Sequence, residues 1–331
     1  MIMEQLKLRV FSSGDIKHCI GMRDAISAMR EAFRAVTANE AMMPIRSGLE
    51  LTEQQGVALF MPAYLPALRH ISLKTVTTYR NNGPKGLPAI HALVQLLDGE
   101  TGRPLALMDG ESITALRTGA ASGLATELLA RHDASRVAII GAGVQGRSQL
   151  EAVCCARHIS TAFVIDLSVQ AAESFASEMG RRLGIEVVPA GIEALQDADI
   201  ICTATSSRVP LFDHQMLTPV VHINAIGAFR PDMCEIPPAT VRAAIVYVDH
   251  FASCRKEAGD LLQPLQAGII GEEHFNRELG SLLVGKDGGE TAGKAPITLF
   301  KSVGIAVQDL VLASLVYQRG VEMGLGREII L

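Results

Sequence analysis

The run VAIIGAGVQG, from Val137 to Gly146, constrains the fold of this chain more than any other stretch. Val137 to Ile140 is a short apolar run suited to a buried parallel strand. Gly141, Gly143 and Gly146 follow in the spacing G-x-G-x-x-G, and Gln145 to Cys155 has the character of a helix. In a dinucleotide site the first glycine makes the turn and the second lets the backbone approach a pyrophosphate. The third lets helix and strand pack closely, and the helix N-terminus faces the negative charge. The triplet alone is a weak signal. The next apolar run, Ala162 to Asp166, strengthens it, because it ends in a carboxylate 23 residues after Gly143, where an acid would accept from the adenosine ribose hydroxyls. The competing reading makes Asp166 a cap for the following helix, Val169 to Leu183. As a ribose ligand, Asp166 favours NADH over NADPH, since a carboxylate repels a 2′-phosphate and Leu167 and Ser168 supply no cation.

The alternation continues to about Asp249. Further strands are predicted over Gly184–Pro189, Asp199–Thr205, Val221–Gly227 and Ala244–Asp249, with a helical Ile192–Gln196 before the second of these. Six strands with helical crossovers make a doubly wound parallel sheet of Rossmann type. Gly141, Asp166, Thr205 and Gly227 all fall at carboxyl ends of strands, the edge where such sheets bind ligands.

The front of the chain follows a different pattern. An amphipathic helix over Asp24–Thr37 precedes candidate strands at Arg46–Leu51, Gly56–Tyr64, His70–Tyr79 and Ala89–Asp98. A turn-rich link leads to Pro104–Met108, and Glu111–Ala130 is a long helix rich in Ala and Leu. The tail, Ile297–Met323, has helical periodicity, and Gly285–Gly293 before it has the composition of a mobile loop. The expected organisation is an α+β substrate and dimerisation domain, 1–115, completed by a C-terminal helix in 305–331. A nucleotide-binding domain, 116–304, lies between.

Composition sets the outer bounds. Hydrophobic residues make up 48% of 331, enough for real cores, and a formal net charge of −5 argues against nucleic acid as a partner. MIMEQLKLRVFSSGD lacks the apolar core of a signal peptide, and no run is long and apolar enough to span a membrane. The six cysteines form no C-x-x-C pair and fit free thiols in a reducing cytoplasm. No histidine spacing suggests a metal site.

Three cations of the front domain attract interest: Arg46 in PIRSG, Lys74 in ISLKTV and Arg117 in SITALRTGAAS. Lys74 would share a strand face with Ser72 and Val76, where a snorkelling surface lysine is the competing reading. Arginine's planar fork suits a carboxylate, and a partly buried lysine suits a proton donor or electrostatic partner. Three cations with few nearby acids would suit an anionic substrate.

Taken in order, PIRSGL, LKTVTTYRNNGPKGLPAIHALVQLLDGETGRPLALMDGESITALRTGAASGLAT, IGAGVQG, HINAIGAFRPDMCEIP and ITLFKSVGIAVQDL resemble the ornithine cyclodeaminase/mu-crystallin family over nearly the whole chain. The resemblance implies a homodimer. By position it implies that Arg46, Lys74 and Arg117 hold the substrate's carboxylate and reacting nitrogen, with Lys74 and Arg117 as the catalytic pair. Thr118, Gly141, Gly143, Val144, Gln145, Gly146, Asp166, Thr205, Asn224, Ala225, Ile226, Gly227 and Ser302 match positions near the cofactor. True cyclodeaminases carry G-G-D-C-P after the fifth strand; here Gly227-Ala-Phe-Arg-Pro231 puts Phe229 at the acid's place, and a phenyl ring cannot accept a proton. The run resembles instead the ketimine reductases of the family. The expected activity is therefore NADH-dependent reduction of a small cyclic imine carboxylate, with NADPH as the other candidate cofactor. Δ1-Pyrroline-2-carboxylate is the first choice of substrate and Δ1-piperideine-2-carboxylate the second. The alternatives are ornithine cyclodeaminase, alanine dehydrogenase, and a small-ligand binding protein without turnover.

Overall fold

The computed structural model describes residues 5–285 and 296–330. In chain order its elements begin with β1 (Lys7–Phe11), α1 (Ser13–Cys19), α2 (Met22–Thr37), β2 (Ser47–Leu51), β3 (Gly56–Leu65), β4 (His70–Tyr79), β5 (Ile90–Asp98), β6 (Pro104–Asp109) and α3 (Gly110–Leu129). Next come β7 (Arg136–Ile140), α4 (Val144–Ala156), β8 (Thr161–Ile165), α5 (Val169–Leu183), β9 (Glu186–Pro189), β10 (Ile200–Thr203), β11 (Val221–Ala225), α6 (Pro238–Ala243) and β12 (Ile245–Val248). The chain finishes with α7 (Phe251–Glu257), α8 (Gly259–Gln266), β13 (Arg277–Glu278), β14 (Ile297–Lys301), α9 (Ala306–Glu322) and β15 (Arg327–Ile330). It divides into two compact units, with boundaries after Arg117 and after Gly304.

The first unit is built on a sheet of order β15-β1-β6-β5-β4-β3-β2 among the described residues. Neighbours run antiparallel except for β1 with β6. Register puts Lys74 opposite Met61 on β3 and Val94 on β5, so these three share a face. Helix α9 lies against β3, β4 and β5 and against α2, which buries that face. The opposite face pairs Thr75 with Phe60 and Leu93, and Leu49 with Ala58; Leu49 and Leu93 on it are exposed.

The second unit holds an all-parallel sheet of order β13-β12-β14-β11-β10-β7-β8-β9. Alternation along β7 divides its side chains between two cores, Ala138 and Ile140 in one, Val137 and Ile139 in the other. That is why the strand is apolar throughout, as expected of a sheet covered on both faces. Strand order reverses at β7, which has β8 on one side and β10 on the other, so the crevice lies between β7 and β10. A doubly wound parallel sheet in one unit and an α+β arrangement in the other agree with the sequence.

The structure corrects the sequence at several points. Ile297–Lys301 is a strand, not the start of the tail helix; it inserts between β11 and β12, and α9 begins only at Ala306. The run ITLFK is buried at every position, so it lacks the alternation that separates strand from helix. Gly304, at φ 79°, then breaks the path before the helix. With β13 the parallel sheet therefore has eight strands among the described residues rather than six. Ile192–Asp197 is a 3-10 turn, and β1, α1 and β15 were not anticipated. The loop expected over 285–293 lies, from residue 286 on, outside the described residues. No helix among those residues is long and apolar enough to cross a membrane.

Leu299, fully buried in β14, tests this placement. Leu299→Ala should cost about 2–5 kcal/mol in urea unfolding with the slope unchanged, whereas the exposed end of a helix would lose under ~1 kcal/mol.

Candidate active site

The glycine turn follows β7 directly. Gly141 has φ 108°, which a residue with a side chain rarely adopts, and a Cβ on Gly146 would sit 2.0 Å from the Gly141 carbonyl oxygen. The first and third glycines are thus fixed by backbone geometry. Nothing lies within 4 Å of a Cβ added to Gly143, which is the N-cap of α4 with no side-chain hydrogen bond. Val144 is exposed and Gln145 half-buried at the start of that helix. Asp166 leaves the end of β8 and accepts from the Ala142 amide at 2.8 Å and from the Ser168 amide at 2.9 Å. Helix α5 is capped by Ser168, whose hydroxyl accepts from the Ala171 amide, so Asp166 is not its cap. The Asp166 carboxylate braces the glycine turn and keeps acceptor capacity beyond those two bonds.

Because every strand of this sheet runs the same way, the chain segments that follow β7, β8, β10, β11, β12 and β14 share one edge. Thr205 lies beside the glycine turn, its methyl 3.3 Å from the Cβ position of Gly141. Gly227 approaches Thr205 in turn, and the Ser302 amide donates to the Ala225 carbonyl at 3.2 Å. Ala225, Ile226 and Ser302 are buried, and the Ser302 hydroxyl donates to Asp249 at 2.7 Å. Asn224 is different: its amide donates to Thr126 at 3.1 Å and its oxygen meets His222 at 3.2 Å, which commits the side chain to the interior. Thr118, on α3, presents its carbonyl to Gln149 of α4 at 3.3 Å. Two carboxylates at this edge gave no sequence signal of their own, Glu235 and Asp249. Asp249 also accepts from the Val303 and Gly304 amides at 2.9 and 2.8 Å.

In the first unit the structure gathers the cations around an acid. Lys74 is 2% exposed, which excludes snorkelling, and its ammonium donates to Asp309 Oδ1 at 3.1 Å. Arg117 Nε lies 3.2 Å from the same oxygen, and its Nη1 donates to Gln308 Oε1 at 2.7 Å. The expectation of few nearby acids is thus corrected, because Asp309 stands between the two cations. It is fully buried in α9, where the pair Gln308-Asp309 interrupts an apolar helix; that interruption was the available signal. Burial pushes the Lys74 ammonium down to about 8, with the charges of Arg117 and Arg46 acting the same way and Asp309 opposing. Arg46, half-buried just before β2, is therefore close enough for its charge to reach the cluster. Asp309 Oδ2 and Arg117 Nε make no hydrogen bond among the described residues, which leaves unused polar capacity in a buried place.

The model of the ornithine cyclodeaminase/mu-crystallin family matches residues 8–324. A Delta(1)-pyrroline-2-carboxylate reductase of Bacillus cereus is 36% identical over 323 residues, 97% of this chain and 99% of that protein. Among solved structures, the Delta(1)-pyrroline-2-carboxylate reductase of Thermococcus litoralis in complex with NADH and L-proline superposes with a TM-score of 0.92 at 39% identity. It covers 97% of this chain and 100% of that one. An archaeal alanine dehydrogenase dimer with bound NAD superposes at 0.91 with 32% identity, over 98% of this chain and 99% of that one. The chain belongs to the ornithine cyclodeaminase/mu-crystallin family.

Proposed function

We propose that this protein is an NADH-dependent reductase of small cyclic ketimine carboxylates, with Δ1-pyrroline-2-carboxylate, which gives L-proline, as the first substrate. The observation that carries the reading is the burial of Lys74 and Arg117 around the single carboxylate of Asp309 in a chain so similar to reductases of that imine. Two buried cations against one anion leave a net positive site, and a small carboxylate is its natural complement.

The second unit suits the cofactor. The close approach at Gly141 and Gly146, the open space at Gly143 and the uncapped start of α4 fit a pyrophosphate, with Asp166 at the ribose and Thr118, Val144, Gln145, Thr205, Asn224–Gly227 and Ser302 around the remainder. Asp166, with Leu167 fully exposed beside it, disfavours a 2′-phosphate. Bound NADH supplies the hydride that the imine carbon takes up. Arg117 and Arg46 hold the substrate carboxylate and so fix which face of the ring is presented. Lys74, in its ammonium form, hydrogen-bonds the imine nitrogen and donates the proton that balances the hydride, while Asp309 orients the ammonium. An addition to C=N needs no nucleophilic side chain.

The same chemistry acts on an open-chain imine formed from pyruvate and ammonia, and the similarity to an archaeal alanine dehydrogenase favours this as the second reading. Cyclodeaminase chemistry is disfavoured by Phe229, half-buried against the apolar core where that reaction needs a carboxylate. A homodimer is proposed through the open face of the first unit's sheet, where Leu49 and Leu93 are 58% and 51% exposed. Six free cysteines suit a cytoplasmic location.

Three measurements test this. NADH oxidation should be supported by Δ1-pyrroline-2-carboxylate at a kcat/KM about ten- to a hundredfold above that with NADPH, without added ammonia. A clear NADPH preference, strict ammonia dependence with pyruvate, or ammonia release from ornithine at a comparable rate would each overturn a named part of the reading. Arg117→Ala should lower kcat/KM by roughly 30- to 1000-fold while NADH affinity changes little; full activity on a carboxylated imine removes the clamp. The third concerns pH. Lys74 must be charged to act, so kcat/KM should be level below its value of about 8 and fall above it. In Arg117→Ala, which removes a neighbouring positive charge, the falling limb should move to higher pH.

A further inference from the structure

We infer that Glu235 is a positioning residue for the nicotinamide half of the cofactor, acting through the two loops that leave β10 and β11. The inference rests on the dinucleotide reading above. Glu235 is fully buried and lies outside every regular element, between β11 and α6. Its carboxylate collects five donors, one from the last residue of β10 and four from the loops that follow β10 and β11. Oε1 accepts from the Thr205 amide at 2.7 Å and the Thr205 hydroxyl at 2.8 Å. Oε2 accepts from the Thr203 hydroxyl at 2.8 Å, the Gly227 amide at 2.7 Å and the Ala228 amide at 3.2 Å. One side chain thus supplies acceptors to the ends of two adjacent strands, where parallel pairing has stopped.

Two further features point the same way. A Cβ on Gly227 would sit 2.3 Å from the Thr205 carbonyl oxygen and 2.4 Å from Glu235 Oε1, so the loops and the carboxylate are packed with no room for a side chain. The segment bearing Glu235 is itself held from beneath. Asp260 Oδ1 accepts from the Glu235 and Ile236 amides at 2.6 and 3.0 Å, and Asp260 Oδ2 accepts from the Lys301 ammonium at 2.8 Å. Lys301 is the last residue of β14 and precedes Ser302, so a third strand end joins the same network.

The place of this network in the sheet assigns its role. Asp166 and the glycine turn lie on the β8 side of the crevice and meet the adenosine half and the pyrophosphate. A dinucleotide crosses the point where strand order reverses, which puts the other half over β10 and β11. Glu235 therefore sets the backbone on which the reactive half rests, and the adenosine half does not depend on it.

The test is calorimetric titration of the full-length protein with NADH and, separately, with ADP-ribose, which lacks only the nicotinamide. In Glu235→Gln an amide NH2 must face either the Thr205 donors or the Thr203, Gly227 and Ala228 donors, and NADH affinity should fall about ten- to a hundredfold. ADP-ribose affinity should stay within about twofold. Thr203→Val, an isosteric change that removes one donor, should give the same pattern at about threefold, and covers the case in which the first variant fails to fold. Equal losses for both ligands, or no loss of NADH affinity in either variant, would overturn the inference while leaving the cofactor reading intact. An unaltered protein that binds neither ligand overturns both.

Discussion

Two cations cannot be buried side by side in an apolar interior without an anion between them, and the first unit is organised around that requirement. Lys74 comes from the interior of a mostly antiparallel sheet and Arg117 from a helix that follows it. Neither element carries an acid that reaches the pair. The acid comes from α9, which also supplies the apolar cover for the sheet face, so packing and charge compensation are solved by one element. Removing Asp309 would leave two buried cations without their carboxylate, the costly way to break a buried ion pair. The pairing is nevertheless incomplete: two cations share one carboxylate, and Asp309 Oδ2 accepts no hydrogen bond among the described residues.

The second unit solves a different problem. A parallel sheet ends every strand on one edge, and the backbone groups released there must find partners. At the glycine turn Asp166 supplies one; at β10 and β11 Glu235 supplies several; at β12 and β14 Asp249 does so for the Ser302–Gly304 segment. Three carboxylates from three strand ends or loops thus order the backbone along one edge of the sheet. Glu235 and Asp249 are fully buried, so their charge goes to ordering backbone, while Asp166 is only half-buried beside the glycine turn.

What the sequence conveyed follows from the range of the interactions involved. The strand, glycine turn, helix, strand and acid of 137–166 were legible because each step is local and carries its own spacing. The boundaries of β4 and α5 were legible for the same reason. Ile297–Lys301 was not, because a strand buried on both faces has no alternation to distinguish it from the helix that follows. The roles of Asp309 and Glu235 were harder to read. The polar interruption of α9 marked Asp309 without naming its partner Lys74, 235 residues away. Glu235 joins Gly227, 8 residues away, to Thr203 and Thr205 about 30 residues away. The resemblance to a family marked Arg46, Lys74 and Arg117 as one site, but it left out the acid that permits two of them to be buried.

The second unit is an insertion in the first: the chain leaves the first unit after Arg117 and returns at Ile305. Every residue that the parallel sheet needs has been synthesised before α9 appears. The front segment, by contrast, emerges from the ribosome with one sheet face lacking its cover and Lys74 lacking its counter-charge. Closing that unit means bringing together segments separated in the chain by the whole second unit, a contact of long sequence separation. Order of synthesis is thereby written into the architecture. The parallel-sheet unit has all its strands before α9 is made, and the Lys74–Arg117–Asp309 cluster cannot form until α9 follows.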